Sequence, residues 1–552
     1  MKKQDRRSFL QFLGRTGILV GTSGVLGALS SCNENSNNTT PPTTDSTSTS
    51  LPKMDFPLKA IQATMEDDII LSEGLQYQVI VRWGDSISEA DQFGFNNDYL
   101  AFIPLKDNPN EGLLWSNHEY IQELFISGFT EDDRSKKTKE QVEKEMYAVG
   151  GSIIHIKNNN GTWELVQDNE LNRRITAKTM IPFDWDEPIA GATEAMGTLA
   201  GCAGGVTPWG TVLSCEENYD MFYGETDHTS PVETVHENSY YGWEKHYPQN
   251  KPEHYGWVVE VKLETGEAKK LVALGRCAHE CATVFELPDK RLVVYTGDDK
   301  NDEHLYKFIS SEPGSLRNGT LYVANTEKGE WVSLKYEEQE ILQKNFKNQT
   351  EVLIRLREAA KLLGATPLNR PEDIEIDPET GNVLVALTNN KPKGDYLGQI
   401  LKIEETNNDK TSLTFKASTF LAGGPEHGFA CPDNLAFDQK GNLWFTSDIS
   451  GSSIGKNQYE AYGNNGLFLV PMSGDQAGEV IQVGSAPKDA EFTGPYFSPD
   501  GKTLFLSVQH PGEQSKSLDA LTSTWPDGEG NNPKPSVVAI SGEALTKLMD
   551  LG

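Results

Sequence analysis

The chain has 552 residues, a formal net charge of −32 and 37% hydrophobic residues. The apolar content is enough for a sizeable core and excludes global disorder, while the acidic excess excludes a basic nucleic-acid-binding surface as the main function. A chain of this length has room for two or three domains, or for one large all-β barrel or propeller.

The first 32 residues have the pattern of an export signal. A basic start contains the pair Arg6-Arg7, a short apolar run follows, and the segment ends in LSSC. Twin arginines are typical of the Tat export route, and the apolar run is too short to span a bilayer. Because LSSC resembles a bacterial lipobox, we expect Cys32 to be lipidated and this lipid to be the only membrane attachment. A plain signal peptide with a chance cysteine is the alternative.

Residues 33–55 are expected to be a linker, because a low-complexity run of Ser, Thr, Asn and Pro cannot bury a core. We expect residues 56–552 to form a single catalytic domain. The protein is thus predicted to be exported and lipid-anchored, on the periplasmic side or at the cell surface, and to be a monomer.

A repeated strand–turn–strand pattern occupies the second half of the chain. Its copies begin near His279, Pro371, Cys431 and Thr493, and the turn aspartates of the last three copies, Asp377, Asp438 and Asp500, are 61 and 62 residues apart. Two looser copies begin near residues 112 and 202. Repeats of this length, built from short strands and turns, are typical of propeller blades. We predict an all-β, six-bladed β-propeller with helical insertions near 132–150 and 339–364; a tandem β-sandwich is the alternative.

The innermost strand of each propeller blade lines the central channel. Just before or at the start of these strands lie His279-Glu280, Arg370 with Glu372, and Asp433-Asn434. The early blades place NHEY, from Asn117, and CEEN, from Cys215, at strand ends. Several carboxylates and amides around one axis indicate a metal site.

The residue types narrow the chemistry of that site. A thiolate is too soft a ligand for calcium and suits iron or zinc, but neither HExxH nor paired CxxC motifs are present. Walker, dinucleotide-binding and GxSxG motifs are also missing from the sequence. Cations combined with Arg370 and Lys307 in an acidic channel would suit a phosphoryl group.

The cysteines leave two alternatives open. Cys202 and Cys215 are thirteen residues apart and could form a disulfide, or one of them could be a metal ligand. Five cysteines remain beyond the export signal, so at least one is expected to be unpaired. Cys277 and Cys281 would lie about 13 Å apart on a regular strand, too far for a disulfide.

Several segments between about residues 90 and 515 together resemble the PhoX-type alkaline phosphatases. The most specific are GCAGGVTPWGTVLSCEEN from Gly201, GDDKNDEHLYKF from Gly297 and RPEDIEIDPETGNVLVALTNN from Arg370. The resemblance implies a six-bladed propeller with a deep site of iron (Fe³⁺) and calcium, which hydrolyses small-molecule phosphate monoesters to inorganic phosphate. A calcium-dependent lactonase-like hydrolase and a non-catalytic binding propeller are the alternatives.

The resemblance also implies roles for individual residues. Cys202 would ligate iron, Glu280 and Glu372 would be carboxylate ligands, and Arg370 and Lys307 would grip the phosphate, so that Arg370, Lys307 and Glu280 form the expected catalytic group. The further expected metal ligands are Asn117, Glu119, Glu216, Glu217, Asp298, Asp433 and Asn434.

Overall fold

Six antiparallel sheets of four or five strands make up most of the structure, a computed structural model that describes residues 56–106, 108–228, 234–237 and 239–550. The sheets are arranged as the blades of a propeller, so the predicted six-bladed fold is confirmed and the tandem sandwich is wrong. Residues 56–552 form one compact unit. Cys32, the predicted export signal and the predicted linker lie outside the described residues.

The first two strands of the described chain belong to the last two blades. The strands of blades one and two follow them in sequence. The entering strands are β1 (Ile70–Leu71) and β2 (Gln76–Arg82). Blade one contains β3 (Asn97–Leu105), β4 (Asn108–His118), β5 (Gly150–Asn159), β6 (Thr162–Leu165) and β7 (Arg173–Ile175). A small hairpin follows, of β8 (Met180–Pro182) and β9 (Glu194–Met196). Blade two contains β10 (Gly201–Val206) and β11 (Val212–Glu216), then a hairpin of β12 (Glu225–Asp227) and β13 (Thr234–Glu237), then β14 (Val258–Lys262) and β15 (Glu267–Leu271).

The later blades match the clearer sequence repeats. Blade three contains β16 (Thr283–Glu286), β17 (Leu292–Gly297), β19 (Leu305–Ser310), β20 (Gly319–Asn325) and β21 (Glu330–Ser333), while β18 (Asn301–Glu303) pairs with β22 (Leu368–Asn369). Blade four contains β23 (Pro371–Ile376), β24 (Val383–Leu387), β25 (Gln399–Glu405) and β26 (Phe415–Ala422). Blade five contains β27 (Pro432–Phe437), β28 (Leu443–Ser447), β29 (Gly466–Val470) and β30 (Ile481–Ser485). Blade six contains β31 (Glu491–Phe497), β32 (Leu504–Gln509) and β33 (Ser536–Ser541).

Turn aspartates shape the inner hairpins. Asp377 accepts hydrogen bonds from the backbone N–H groups of Glu379 and Thr380, and Gly381 takes the left-handed conformation, with φ +71°, that closes the turn. Asp438 accepts from the N–H groups of Lys440 and Asn442 in the same position of the next blade. Asp side chains hold turns by such local hydrogen bonds, which explains why an aspartate recurs at this position.

The ring is closed by the two entering strands. β1 pairs with β30, opposing Ile70 to Ser485, and β2 pairs with β33, opposing Gln76 to Ser541. The start of the described chain therefore completes blades five and six. This pairing hydrogen-bonds strand edges that would otherwise be exposed.

In the residues that the structure describes, seven α-helices connect or cover the blades: α1 (Glu123–Ile126), α2 (Lys139–Ala148), α3 (Asp220–Tyr223), α4 (Glu340–Asn345), α5 (Gln349–Ile354), α6 (Leu356–Leu362) and α7 (Glu543–Asp550). α2 lies within the predicted insertion 132–150, and α4 to α6 lie within 339–364. A capping box at Thr138 and Gln141 starts α2, which buries Val142 and Met146. None of the helices in the described part of the chain has the length and apolarity needed to cross a membrane.

Candidate metal centre and active site

The innermost strands are irregular at one end of the channel. The pairing register shifts between residues 97 and 100, 201 and 204, 371 and 374, and 432 and 435, so each of these strands carries a bulge near its start. A left-handed residue with φ between 43° and 54° precedes each of them: Asn96, Ala200, Arg370 and Cys431. Bulges redirect side chains, and here they bring one residue from each bulge to a common cavity: Asp98, Cys202, Glu372 and Asp433.

A second set of side chains comes from the far ends of the neighbouring strands. Glu119, Glu217, Asp299 and Asp448 follow β4, β11, β17 and β28. Because adjacent strands are antiparallel, the end of the second strand lies at the same channel mouth as the start of the first. The resulting cavity has a volume of about 200 Å³ and is lined by nine carboxylates: Asp98, Glu119, Glu217, Asp299, Glu372, Asp433, Asp448, Glu491 and Glu513.

Cys202 and Glu280 lie at the centre of this acidic cluster. The Cys202 Sγ is 3.2 Å from the Glu280 Oε1 and 3.4 Å from the Asp98 Oδ2. Three overlapping groups have their donor atoms within 4.8 Å of one another: Asp98 with Glu119 and Cys202; Cys202 with Glu217 and Glu280; and Glu280 with Asp299 and Glu372. The shared members make the three groups one contiguous donor set.

Burial and like charge act against ionisation in this cluster. Burial raises the pKa of Asp98 to about 6, and burial with the nearby Asp98 charge raises the pKa of Glu119 to about 7. The pKa values of Glu280 and of the Cys202 thiol are raised well above their ordinary values, first by burial and then by neighbouring carboxylates. Cations in the cavity would offset the repulsion and favour the ionised ligands.

The donor set fits a mixed metal centre. Glu280 Oε2 is buried and has no hydrogen-bond partner among the described residues. A buried carboxylate oxygen without a partner is costly unless an ion or water binds it. The Cys202 thiol, shared by two of the three groups, suits a transition metal, while the group of Glu280, Asp299 and Glu372 offers only the hard oxygen donors that calcium prefers.

Arg370 supplies positive charge at the edge of the cluster. Its Nε and Nη2 donate to the two carboxylate oxygens of Asp299 at 2.9 and 2.7 Å, and Nη2 lies 2.7 Å from the Glu372 Oε1. Nη1 is 3.5 Å from the Asp448 Oδ2. The side chain is 25% exposed, so the guanidinium is held by the cluster and still reaches the cavity.

Of the residues predicted for the site, the structure brings together Cys202, Glu119, Glu217, Glu280, Glu372, Asp433 and Arg370. Two other predicted residues do not line the cavity but lie next to residues that do. Asn117 donates through Nδ2 to the backbone oxygens of Cys202 and Ala203 at 2.5 and 3.1 Å. Glu216 is fully buried against Lys270, whose Nζ is 2.6 Å from its Oε1.

Three predicted residues lie apart from the cluster. Asp298 is buried and forms an ion pair with the partly exposed Arg357. Asn434 accepts a hydrogen bond from the Gly494 N–H at 2.7 Å and lines a different cavity. Lys307 lies inside blade three, with its Nζ 2.5 Å from the Glu405 Oε1 and 2.8 Å from the Ser412 carbonyl oxygen. The structure therefore does not place Lys307 where it could grip a phosphate.

The cysteine alternatives are also resolved. Cys202, Cys215, Cys277, Cys281 and Cys431 are all free thiols, so the Cys202–Cys215 disulfide is wrong. Cys215 is fully buried in the core beside Glu216, whereas Cys202 is partly exposed at the cavity.

Six further residues at this mouth, five carboxylates and one imidazole, were not predicted from the sequence. They are Asp98, Asp299, Asp448, Glu491, His510 and Glu513. Asp299, Asp448 and His510 each follow the second strand of a blade by one or two residues. A search at that repeat position could have found these three, but Asp98 lies in one of the two blades whose sequence repeat is loose.

Fold and site together define a propeller with a thiol-containing acidic metal centre and an arginine at its mouth. The family model of alkaline phosphatase PhoX matches residues 56–512. The chain belongs to the PhoX family of alkaline phosphatases, as its motifs indicate.

Among solved structures, Pseudomonas fluorescens PhoX in complex with vanadate, a transition state analogue, is 29% identical, with a TM-score of 0.79 over 88% of this chain and 98% of that one. A Dyadobacter fermentans protein of unknown function is 10% identical over 85% and 100% of the two chains, with a TM-score of 0.38. A Xanthomonas campestris gluconolactonase is 9% identical over 84% and 99%, with a TM-score of 0.30. The last two scores are too low to support an argument. A comparison with curated protein sequences gave no match.

Proposed function

We propose that this protein hydrolyses small-molecule phosphate monoesters and releases inorganic phosphate at an iron and calcium centre in the channel mouth. The observation that carries the proposal is the contiguous set of Cys202 and buried carboxylates beside Arg370. Membership of the PhoX family and the vanadate complex of the Pseudomonas fluorescens protein support phosphate ester hydrolysis.

The residues divide between two kinds of ion. Cys202 with Asp98, Glu217 and Glu280 would hold iron, because the set combines a thiolate with carboxylates. The oxygen-only donors of Asp299 and Glu372 would hold calcium together with Glu280. When bound, such cations neutralise phosphoryl charge and lower the pKa of water, which provides the chemistry for attack on phosphorus.

Arg370 would bind the phosphoryl group. A guanidinium donates two parallel hydrogen bonds to phosphate oxygens, and Arg370 now makes this type of contact with Asp299. Its position at the cavity edge would let it stabilise the charge that builds up on those oxygens during bond breaking. Lys307 has no part in this proposal, because its amine is engaged by Glu405 inside blade three.

Replacement of the thiol tests the metal centre. Cys202→Ser is expected to lose most bound iron and to lower the hydrolysis of p-nitrophenyl phosphate at least about 100-fold, because a serine hydroxyl is a poor ligand for iron at neutral pH. Elemental analysis and an assay of the purified protein measure both. Cys277→Ser is the matched control, because this buried thiol lies outside the donor set.

The alternatives predict different results. A calcium-dependent lactonase or a non-catalytic binding propeller would carry no iron and would not hydrolyse p-nitrophenyl phosphate. Wild-type protein without iron, or a Cys202→Ser variant with full activity, would contradict the proposal.

We also propose that the protein is exported by the Tat route and anchored through lipid on Cys32. The pair Arg6-Arg7 and the sequence LSSC support this location. The proposal includes a monomeric protein. The net charge of −32 supports small anionic substrates bound through cations rather than nucleic acid bound through a basic surface.

A further inference from the structure

Lys300 lies beside the candidate metal centre. It follows Asp299 in the short loop between β17 and β18. Its Nζ donates to the Asn218 Oδ1 at 2.7 Å and lies 3.7 Å from the Asp220 Oδ1. The side chain is 33% exposed. Lys300 is therefore a partly solvated cation held in place mainly by a neutral amide.

Asn218 connects Lys300 to the cavity. The amide lines the cavity itself, and its Nδ2 donates to the Glu217 Oε2 at 2.5 Å and to the Glu119 Oε1 at 3.4 Å. Glu217 and Asp299 also interact electrostatically with the Lys300 ammonium. These contacts hold the ammonium next to the cavity-lining Asn218, on the side formed by blades two and three.

The two cations at this mouth differ in how fully they are paired. Arg370 contacts three carboxylates, Asp299, Glu372 and Asp448. Within the described part of the chain, Lys300 has its only close ion-pair contact with Asp220, at 3.7 Å, which is long for a charged hydrogen bond. An ammonium has three donors, so Lys300 keeps donor capacity for an anion that enters from solvent.

Depth in the cavity decides which part of a substrate each cation meets. Glu280 is fully buried, whereas Lys300 is one-third exposed. If the phosphoryl group binds at the donor set and Arg370, the rest of the ester extends outward, toward the rim. Lys300 would then meet the leaving group rather than the transferred phosphoryl group.

We infer that Lys300 is a specificity-determining residue, which favours phosphate monoesters whose leaving group carries a second anionic group. This inference rests on the proposed phosphomonoesterase function and adds a substrate class to it. Among the described residues the ammonium donates its hydrogen bond to the neutral Asn218. Asp220, Glu217 and Asp299 act on it without a direct hydrogen bond, so donor capacity for such a leaving group is retained.

A matched pair of substrates tests the inference. 3-Phosphoglycerate and glycerol 3-phosphate differ chiefly by a carboxylate in place of a hydroxymethyl group, and released inorganic phosphate measures the hydrolysis of both. In Lys300→Ala, the ratio of kcat/KM for 3-phosphoglycerate to that for glycerol 3-phosphate should fall about fivefold, the upper range for a partly exposed charge pair. The change should come mainly from a higher KM for 3-phosphoglycerate.

Two further variants separate charge from structure. Lys300→Arg keeps the charge and should restore the ratio to within about twofold of wild type. Lys344→Ala removes an equal charge from an exposed helix position that pairs with Glu340, and should leave the ratio unchanged.

An unchanged ratio in Lys300→Ala, or an equal loss for both substrates, would overturn the inference while leaving the proposed function intact. A wild-type protein that hydrolyses neither these substrates nor p-nitrophenyl phosphate would instead contradict the proposed function and, with it, this inference.

Discussion

Adjacent acidic residues take different roles in two blades. Glu217 faces the cavity, while Glu216 accepts hydrogen bonds from the backbone N–H groups of Gly256 and Trp257 and pairs with Lys270. Asp299 likewise lines the cavity, while Asp298 pairs with Arg357. Successive side chains on extended backbone point to opposite sides, so one member of each pair can bind an ion while the other fixes the backbone.

The buried histidine next to this support predicts a dependence of stability on pH. His254 is 5% exposed, and burial, with the charge of Lys270, lowers its pKa from 6.5 to about 4. Between pH 6.5 and 4 the unfolded chain binds a proton that the folded chain excludes. The free energy of unfolding is therefore undiminished above pH 6.5. As the pH falls to 4, protonation of the unfolded chain lowers it by up to about 3 kcal/mol.

His254→Asn tests this dependence, because Asn keeps an acceptor for the Lys251 N–H but cannot ionise. The free energy of unfolding in urea should fall by about 3 kcal/mol less between pH 7 and 4 in the variant than in the wild type. Titration of the metal centre is common to both proteins and cancels in the comparison. Parallel pH profiles would show that His254 does not contribute.

The adjacent acidic pairs also show how much of the site could be predicted from the sequence. Repeat position predicted that acidic residues gather at one channel mouth, and Cys202, Glu280, Glu372 and Arg370 are found there. It could not choose between neighbours such as Asp298 and Asp299, because the local backbone decides which side chain faces the channel. Lys307 was misplaced because its partner, Glu405, is 98 residues away in sequence.

At the scale of elements, the bulged starts of the innermost strands bring the side chains of the site together. A regular strand would turn alternate residues away from any one face, and the bulge changes that direction locally. Blade number and hairpin turns followed from the spacing of strands and turn aspartates. The bulges did not, because the residues before them, such as Ala200 and Arg370, are not the glycines that usually indicate a left-handed backbone.

The register of β31 against β32 also shifts, between Thr493 and Tyr496, and this bulge can be tested at Gly494. A Cβ added there would lie 2.7 Å from the Asp98 carbonyl oxygen and 2.8 Å from the Tyr99 Cα, so Gly494→Ala should push β31 away from β3. We expect it to lose about 2 kcal/mol of unfolding free energy through this clash, and to bind less iron because Asp98 moves. Urea unfolding and elemental analysis provide the measurements.

Gly474→Ala is the matched control for backbone conformation. Both glycines have positive φ, +57° and +81°, but no atom of the described residues lies within 4 Å of a Cβ at Gly474. The control should show only the cost of a left-handed alanine, about 1 kcal/mol. Equal losses in the two variants would rule out the clash with β3 as the cause.

At the scale of the whole molecule, closure of the ring completes the metal centre. Gln509 of β32 donates to the Asp98 Oδ2 at 2.9 Å and to the Glu119 Oε2 at 2.8 Å, and Ser507 donates to the Asp98 carbonyl oxygen at 2.6 Å. Blade six thus positions ligands of blade one. The proposed Tat route, which carries folded proteins, would suit a centre whose ligands are positioned by hydrogen bonds across the closed ring.

Replacement of Arg6 and Arg7 by Lys tests that route. The variant should accumulate in the cytoplasm, while the wild type should be found in the membrane fraction, as followed by immunoblotting of cell fractions. Exchange of Lys2 and Lys3 for Arg is the control, and should leave export unchanged. Cys32→Ala should still be exported but should leave the membrane fraction. A twin-lysine variant in the membrane fraction would contradict the Tat proposal.

The hydrogen bond from Gln509 to Asp98 joins residues 411 positions apart, so it can form only after the ribosome has added Gln509. At about 5–20 residues per second, the ribosome adds Gln509 roughly 20 to 80 seconds after Asp98. Throughout that time the ligands of blade one lack the side chains that position them. Loading of the proposed metal centre is therefore expected to follow translation of almost the entire chain, so that the supply of ions counts only after the ribosome has nearly finished.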